Sequence, residues 1–259
     1  MRKLSLVFAL FVVGVSSCVH YENGFTIPIK GNGNIITSEE TVSLFENVEV
    51  RVAADVNYHT SSEYRVVVTV DSNLLEYVVI NTKGKTLHIG VGNGGYSFTK
   101  FVVDIYCPYV AKVSIHGSGN FTTIDKIVVP AFKSDISGSG DIQGIFECED
   151  FSAHISGSGE MNGEVKCNDF SASIVGSGTM TINGNGKNAN IKITGSGNFN
   201  GKEFKTNNSD VSVTGSGDVY IWVVDNLKAN LSGSGDIIYR GTPKIDFGSS
   251  GSGRIKSEK

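Results

Sequence analysis

Residues 150–161 read DFSAHISGSGEM and residues 169–180 read DFSASIVGSGTM, and the shared Gly-Ser-Gly decides the fold. Successive copies of this tripeptide are separated by 21, 19, 19, 19, 20, 18 and 18 residues. Such a period is typical of repeat architectures, whereas a flexible Gly/Ser linker has the composition without the period. The first glycines of the eight copies are Gly117, Gly138, Gly157, Gly176, Gly195, Gly215, Gly233 and Gly251.

Apolar residues recur at two fixed distances from the first glycine. Two positions before it stand Ile115, Ile136, Ile155, Ile174, Ile193, Val213, Leu231 and Ser249. Four positions after it stand Phe121, Ile142, Met161, Met180, Phe199, Val219, Ile237 and Ile255. The position three before it holds no large apolar residue: Ser114, Asp135, His154, Ser173, Lys192, Ser212, Asn230 and Gly248. This alternation predicts a half-buried strand on each side of the tripeptide.

A coil of parallel strands accounts for this pattern. We predict an all-β fold, a single-stranded parallel β-helix (solenoid) in which each repeat of about 19 residues makes one turn. Gly-Ser-Gly would form a corner, because glycine adopts positive φ without a Cβ penalty. Gly144, Gly163 and Gly201 are expected to mark a second corner. A sandwich of hairpins is the alternative, since hairpin turns also favour glycine.

We divide the chain into four segments. Residues 1–17 are a signal peptide, 18–44 an anchor and linker, 45–112 a β-rich N-terminal part, and 113–259 the Gly-Ser-Gly solenoid. We expect the N-terminal part to start the coil or to cap it, since uncovered strand edges promote aggregation. Within it, residues 71–78 interrupt the strand alternation and predict one short helix, with Asp71 as its N-cap.

The first residues indicate export. Arg2 and Lys3 precede an apolar run over residues 4–15, and Ser16 and Ser17 lead into Cys18. This order is that of a signal peptide, and the run is too short for a membrane-spanning helix. Cys18 directly after small residues predicts a lipoprotein, attached to the membrane through lipid on Cys18; ordinary secretion is the alternative. We expect a cell-envelope protein, in the outer membrane of a Gram-negative bacterium.

Charge and cysteine content exclude several classes. The formal net charge of −4 becomes −6 once Arg2 and Lys3 are removed, which argues against a nucleic-acid partner. No spacing indicates a metal site or a cofactor. Cys148 and Cys167 occupy equivalent places in adjacent repeats, so a solenoid would stack them at a separation compatible with a disulfide or with two packed thiols.

The residue after each Gly-Ser-Gly is often acidic or an amide, as in calcium-binding β-rolls. Asp218 and Asp236 are the best adjacent pair for a cation, but ordinary turn chemistry is the stronger interpretation. One outward cluster deviates from the polar pattern and is a candidate ligand site: Tyr220, Trp222, Ile238 and Arg240. Exposed aromatic rings beside a polar donor suit sugar stacking or a partner protein, unless the C-terminal tail covers them.

The family resemblance rests on three stretches. They are residues 71–78, the Cys107-Pro108-Tyr109-Val110 segment that leads into Gly117-Ser118-Gly119-Asn120, and the repeated Gly-Ser-Gly-Asp/Asn units. Over roughly residues 45–256 the chain resembles the head domain of auto-transporter adhesins, the GIN domain, found in exported proteins of Gram-negative bacteria. The resemblance implies a β-helix and an adhesin-like role, without catalytic residues to transfer.

Three classes of function remain in competition. We expect a non-catalytic binding or adhesin-like module for a glycan or a surface protein. A purely structural envelope lipoprotein and a polysaccharide lyase or hydrolase are the alternatives. The enzyme is the weakest of them, because no serine or histidine stands out beside a catalytic partner.

Overall fold

The structure is a computed structural model that describes residues 28–258, so the predicted signal peptide and Cys18 lie outside the described part. It contains strands and one 3-10 turn, Leu75–Tyr77. The strands are β1 (Ile29–Lys30), β2 (Ile35–Glu40), β3 (Asn47–Val50), β4 (Asp55–Thr60), β5 (Arg65–Asp71), β6 (Val78–Lys83), β7 (Thr86–Val91), β8 (Tyr96–Ser97), β9 (Phe101–Cys107), β10 (Lys112–Gly117), β11 (Asn120–Thr123), β12 (Ile127–Val128), β13 (Ala131–Gly138), β14 (Asp141–Glu147), β15 (Asp150–Gly157), β16 (Glu160–Lys166), β17 (Asp169–Gly176), β18 (Thr179–Gly195), β19 (Asn198–Gly215), β20 (Val219–Gly233), β21 (Ile237–Arg240), β22 (Lys244–Gly251) and β23 (Ile255–Ser257).

The predicted parallel β-solenoid is confirmed. Strands that end at a Gly-Ser-Gly corner, such as β13, β15 and β17, stack in parallel and form what we call the first face. Strands that follow the corner, such as β14 and β16, stack in the same way and form the second face. The long strands β18, β19 and β20 start on the second face and end on the first. Equivalent residues of successive repeats therefore lie side by side, as in Ile136, Ile155 and Ile174.

The Gly-Ser-Gly corner depends on both glycines. Gly157 has φ of 128°, a backbone conformation that side chains rarely adopt, and a Cβ there would meet the carbonyl oxygen of Gly138 in the preceding turn. A Cβ on Gly159 would likewise meet the carbonyl oxygen of Gly140. The serine between them donates its backbone N–H to the preceding turn, from Ser158 to Gly138 at 2.9 Å. Close stacking of the turns thus selects glycine twice in each repeat.

The expected second corner at Gly144, Gly163 and Gly201 is wrong. All three lie within strands, and none is among the glycines with positive φ. A side chain at Gly201 would contact the Phe199 ring at 2.6 Å, so this glycine leaves room for the core. The chain bends instead between the faces, at Cys148 and at its equivalent in the next turn.

The two apolar columns fill the interior as predicted. Ile155 and Met161 are fully buried, whereas His154, one position from Ile155, is half-buried and points outward. A ladder of phenylalanines continues the core beside these columns, and the rings of Phe151 and Phe170 stack with centroids 5.4 Å apart. Because the alternation in the sequence decides which residues face this core, the inside and outside of each turn are fixed by it.

The N-terminal part both starts the coil and caps it. Strand β3 pairs in parallel with β10 on one side and with β7 on the other, and β4 pairs likewise with β11 and β9. Parallel stacking therefore begins well before the boundary expected at residue 113. Antiparallel pairs β2–β5, β5–β9 and β6–β7 complete this end of the sheet.

Asp71 does not cap a helix, so that prediction is wrong. The residue before the 3-10 turn is Leu74, and no side chain caps the turn. The buried Asp71 carboxylate instead accepts hydrogen bonds from the backbone N–H of Gly33 and of Thr99, both at 2.8 Å, and from the Thr99 hydroxyl. The Thr99 hydroxyl contributes most to a lowered pKa of this carboxyl, together with the backbone N–H groups of Thr99, Gly33 and Lys100. Asp71 therefore ties the N-terminal segment to the loop before β9.

Candidate functional site

The four residues of the predicted aromatic patch lie together on the second face. Tyr220 is in register with Ile238, and Trp222 with Arg240, on the neighbouring strands β20 and β21. Tyr220, Trp222 and Ile238 are half-buried, and Arg240 is exposed. The sequence therefore identified a contiguous surface, here called the aromatic patch, although its role as a ligand site stays a prediction.

Cations cover the rings of the aromatic patch. The Arg240 guanidinium lies 4.3 Å from the centroid of the Trp222 ring, and the Lys205 ammonium lies 5.4 Å from it. Lys205 and Arg240 belong to the turns on opposite sides of Trp222, so both faces of the indole are occupied. The Lys202 ammonium lies 4.3 Å from the Tyr220 ring centroid. A sugar has no free indole face to stack on without displacing a cation.

Carboxylates complete the aromatic patch. Arg240 pairs with Glu203 at 3.6 Å, and Lys202 pairs with Glu258 at 3.5 Å. The C-terminal tail therefore contributes one carboxylate, while its strand β23 continues the coil beside β21. The side chains of the aromatic patch thus pair with one another across the last turns. This arrangement is more typical of a stabilising surface network than of an open binding surface.

A groove runs along the first face. It has a volume of about 900 Å³ and crosses the turns from β10 to β20. Two rows of outward side chains border the groove. The residues between these rows, such as Phe151, are buried and point into the core, so the backbone of the sheet forms the floor of the groove. Its outward lining residues are Asn47, Ala111, Lys112, Ala131, Lys133, Asp150, Ser152, Asp169, Ser171, Asn188, Asn190, Asn208, Asp210, Asn226 and Lys228.

A ladder of side-chain amides follows one row of the groove, and we call it the amide ladder. Asn226 donates from its side-chain nitrogen to the Asn208 oxygen at 2.8 Å, and Asn208 donates to Asn188 at 3.1 Å. Asn188 in turn donates to the Asp169 carboxylate at 2.8 Å. Since each amide has two N–H donors and an oxygen with two lone pairs, every step of the ladder keeps a donor and an acceptor for a further partner.

Charges in the groove balance. Its lining contains three lysines and three aspartates, which gives a formal charge of zero. Lys228 pairs with Asp210 at 2.9 Å, and Lys112 pairs with Asp135 at 3.0 Å. Because the lysines are neutralised by neighbours, the groove lacks the positive field that a polyanion needs.

The sequence analysis did not single out the amide ladder, although a signal for it was present. Its members lie seven residues before a corner glycine, as Asn208 does before Gly215. In five consecutive repeats this position holds only Asp or Asn: Asp150, Asp169, Asn188, Asn208 and Asn226. Such a column predicts contacts between side chains only when the strand register is known, because the register places equivalent residues next to each other.

The acidic and amide residues after the Gly-Ser-Gly have a structural role. The Asp218 carboxylate accepts the backbone N–H of Asp236 at 2.7 Å, and Asp236 accepts that of Arg254 at 3.1 Å. Each side chain thus bonds the next turn, which is the predicted turn chemistry. Within residues 28–258, no group of three His, Cys, Asp or Glu side chains could hold a metal ion.

The described cysteines are buried or half-buried free thiols. Cys148 and Cys167 follow the registered pair Glu147 and Lys166, so they lie side by side in adjacent turns, and both are unbonded in the structure. Burial raises the pKa of Cys148 to about 11 and that of Cys167 to about 12. The disulfide stays a prediction, and the raised pKa values make both thiols poor nucleophiles at neutral pH.

Solved structures share this fold over most of the chain. A protein from Parabacteroides distasonis described as a putative lipid binding protein is 26% identical, with a TM-score of 0.86 over 90% of this chain and 100% of that one. A putative adhesin from Parabacteroides merdae is 28% identical, with a TM-score of 0.85 over 89% and 99% of the two chains. A putative adhesin from Parabacteroides distasonis is also 28% identical, with a TM-score of 0.84 over 90% and 100%.

Sequence comparison gives the family. No curated protein matches the chain. Across the described residues, no helix is long and apolar enough to cross a membrane. The profile described as putative auto-transporter adhesin, head GIN domain, matches residues 44–163 and 146–243, which together cover most of the coil. The chain therefore belongs to the family of auto-transporter adhesin head domains of the GIN type.

Proposed function

We propose that this protein is a lipid-anchored binding module of the bacterial cell envelope that holds a glycan without chemical turnover. The observation that carries the proposal is the groove, which offers a continuous row of hydrogen-bonding groups across successive turns of a rigid coil. Ligand sites are typically preformed concavities with a few convergent polar groups. The adhesin-like family and the adhesins of similar structure support a binding role at the cell surface.

The proposed anchor is the lipid on Cys18, left after removal of residues 1–17. Up to Pro28, where the described chain begins, there are ten residues, which span at most roughly 33–36 Å when fully extended. This tether would let the coil stand away from the outer membrane. Cys18→Ala should abolish incorporation of labelled palmitate and should leave the precursor unprocessed or release soluble protein; absence of label in the wild type would refute the anchor.

The binding function is tested by a glycan and cell-surface binding screen on residues 19–259, run beside an assay of polysaccharide cleavage. We expect retention of a glycan and no change in its length. A structural lipoprotein would bind nothing in the screen. Binding only to surface proteins, reduced by Trp222→Ala and unchanged by Asn208→Ala, would move the site from the groove to the aromatic patch.

Glycan hydrolysis is the alternative function that one structural observation favours. Asp150 and Asp169 are in register in the groove, and adjacent parallel strands lie about 4.8 Å apart. Retaining glycosidases hold their two carboxyl groups about 5–5.5 Å apart. The Asp169 carboxylate, however, accepts a hydrogen bond from Asn188, as a step of the amide ladder. Cleavage that disappears in Asp150→Asn, with binding retained, would establish the enzyme and overturn our proposal.

A further inference from the structure

From the amide ladder we infer that the ligand is a linear, uncharged polysaccharide segment that lies along the solenoid axis and is held by Asn188, Asn208 and Asn226. This inference rests on the proposed function and adds the orientation and chemical class of the ligand. It starts from the geometry of the ladder, whose amides touch from turn to turn at 2.8 to 3.1 Å.

Repetition of one residue type along the axis indicates an extended ligand. Parallel turns place equivalent side chains about 4.8 Å apart, so the three steps from Asp169 to Asn226 span about 14 Å. A compact ligand would use one or two turns and give no reason for the same donor and acceptor in three turns. A polymer with a short repeat meets the same pair of groups at each step.

The available hydrogen bonds suit hydroxyl groups. Asn188 and Asn208 each use one N–H and one oxygen lone pair within the ladder, and Asn226 uses one N–H, which orients the amide planes. The remaining N–H and oxygen lone pair face a ligand that both donates and accepts, as a sugar hydroxyl does. Across the groove, Ser152, Ser171 and Asn190 offer groups of the same kind.

Charge selects an uncharged chain. A polyanion such as a uronic acid polymer would approach Asp150 and Asp169, while the lysines at the two ends of the groove are already paired. A polycation would find Asp169 and Asp210 already occupied by Asn188 and Lys228. Opposite charges at both ends and short neutral side chains between them favour a neutral chain.

The absence of free aromatic rings from the groove lining predicts how affinity depends on length. Among residues 28–258, no tryptophan or tyrosine lines the groove, so binding depends on many weak hydrogen bonds. Each net hydrogen bond contributes modestly, so short oligosaccharides should bind poorly. Affinity should rise with each added sugar until the chain covers the ladder.

The test is an array of linear oligosaccharides of increasing length, with neutral and uronic acid series, probed with residues 19–259. We expect neutral chains to bind, with affinity increasing up to about three or four sugars and then levelling, as the span of the ladder requires. Uronic acid chains should bind at least tenfold more weakly. Preference for uronic acid chains, or affinity that ends with one or two sugars, would overturn the inference while leaving a glycan-binding function in place.

Variants place the site. Asn208→Ala interrupts the ladder at its middle and should lower affinity about three- to tenfold, in line with the loss of hydrogen bonds to an uncharged partner. Asn162→Ala removes an exposed amide from the second face, outside the groove, and is the control. Both variants should melt as the wild type does within a few degrees. Equal losses in the two variants would overturn the groove as the site, and no binding to any glycan would refute the proposed function itself.

Discussion

Replacing Gly157 by alanine tests the corner on which the stacking of the turns depends. With φ of 128°, the residue has a conformation available essentially to glycine, which costs an alanine about 1–3 kcal/mol. The new methyl group also overlaps the carbonyl oxygen of Gly138, and overpacking of this kind costs about 1–3 kcal/mol more. We therefore expect Gly157→Ala to lower the free energy of unfolding by about 2–6 kcal/mol.

Gly163→Ala is the matched control in the same turn. Its φ is not in the positive range, and a methyl group there would make ordinary contacts, 3.4 Å from Val165 and 3.5 Å from Ile182. Because alanine loses less backbone entropy on folding than glycine, this variant should be neutral or slightly stabilised. Urea unfolding followed by circular dichroism measures both. Equal stability of the two variants would refute our account of the corner.

Further substitutions test the core, the hydrogen bonds that Gly33 and Thr99 donate to Asp71, and the aromatic patch. Ile155→Asp buries an unpaired carboxylate and should cost about 4 kcal/mol or more in unfolding free energy, whereas His154→Asp on the outside should be nearly neutral; similar melting temperatures would contradict the inside–outside assignment. Because the folded-state pKa of Asp71 is lowered from its ordinary value of 3.8, its contribution to stability is present above that value and lost as the pH falls through the folded-state pKa. Asp71→Asn should therefore destabilise the protein at pH 7 and flatten the dependence of melting temperature on pH below about 4. An unchanged dependence would contradict a stabilising role of the Asp71 carboxylate. Trp222→Ala removes two cation–π contacts and should cost about 1–2 kcal/mol by thermal melting, so a loss as large as that expected for a core aromatic would place the ring in the interior.

The repeat made the coil predictable, because its constraint is local and recurs at each turn. Seven of the eight repeats place an apolar residue two positions before the corner glycine, so one error in alignment would expose several core residues at once. The same logic correctly brought Tyr220 beside Ile238 and Trp222 beside Arg240. These are statements about register, which the spacing of the corner glycines determines.

Features that depend on contacts distant in sequence were harder to predict. Asp71 preceded a short non-strand segment and suggested a helix cap, but its partners Gly33 and Thr99 are remote along the chain. Gly201 looked like a corner residue, because a single sequence does not distinguish a glycine needed for positive φ from one that leaves room for a ring, as Gly201 does for Phe199. Lys205, which covers Trp222, lies across a register shift in β19 that the repeat does not reveal.

Hydrogen exchange of residues 19–259, with and without a saturating neutral linear oligosaccharide, tests the central claim most directly. If the ligand lies along the groove, protection should increase in one short first-face segment of each successive turn, around residues 150–152, 169–171, 188–190 and 208–210. The second-face strands and the aromatic patch should be unchanged. Protection confined to β20 and β21 around Trp222, or to a single turn, would contradict a binding site that runs along the solenoid axis.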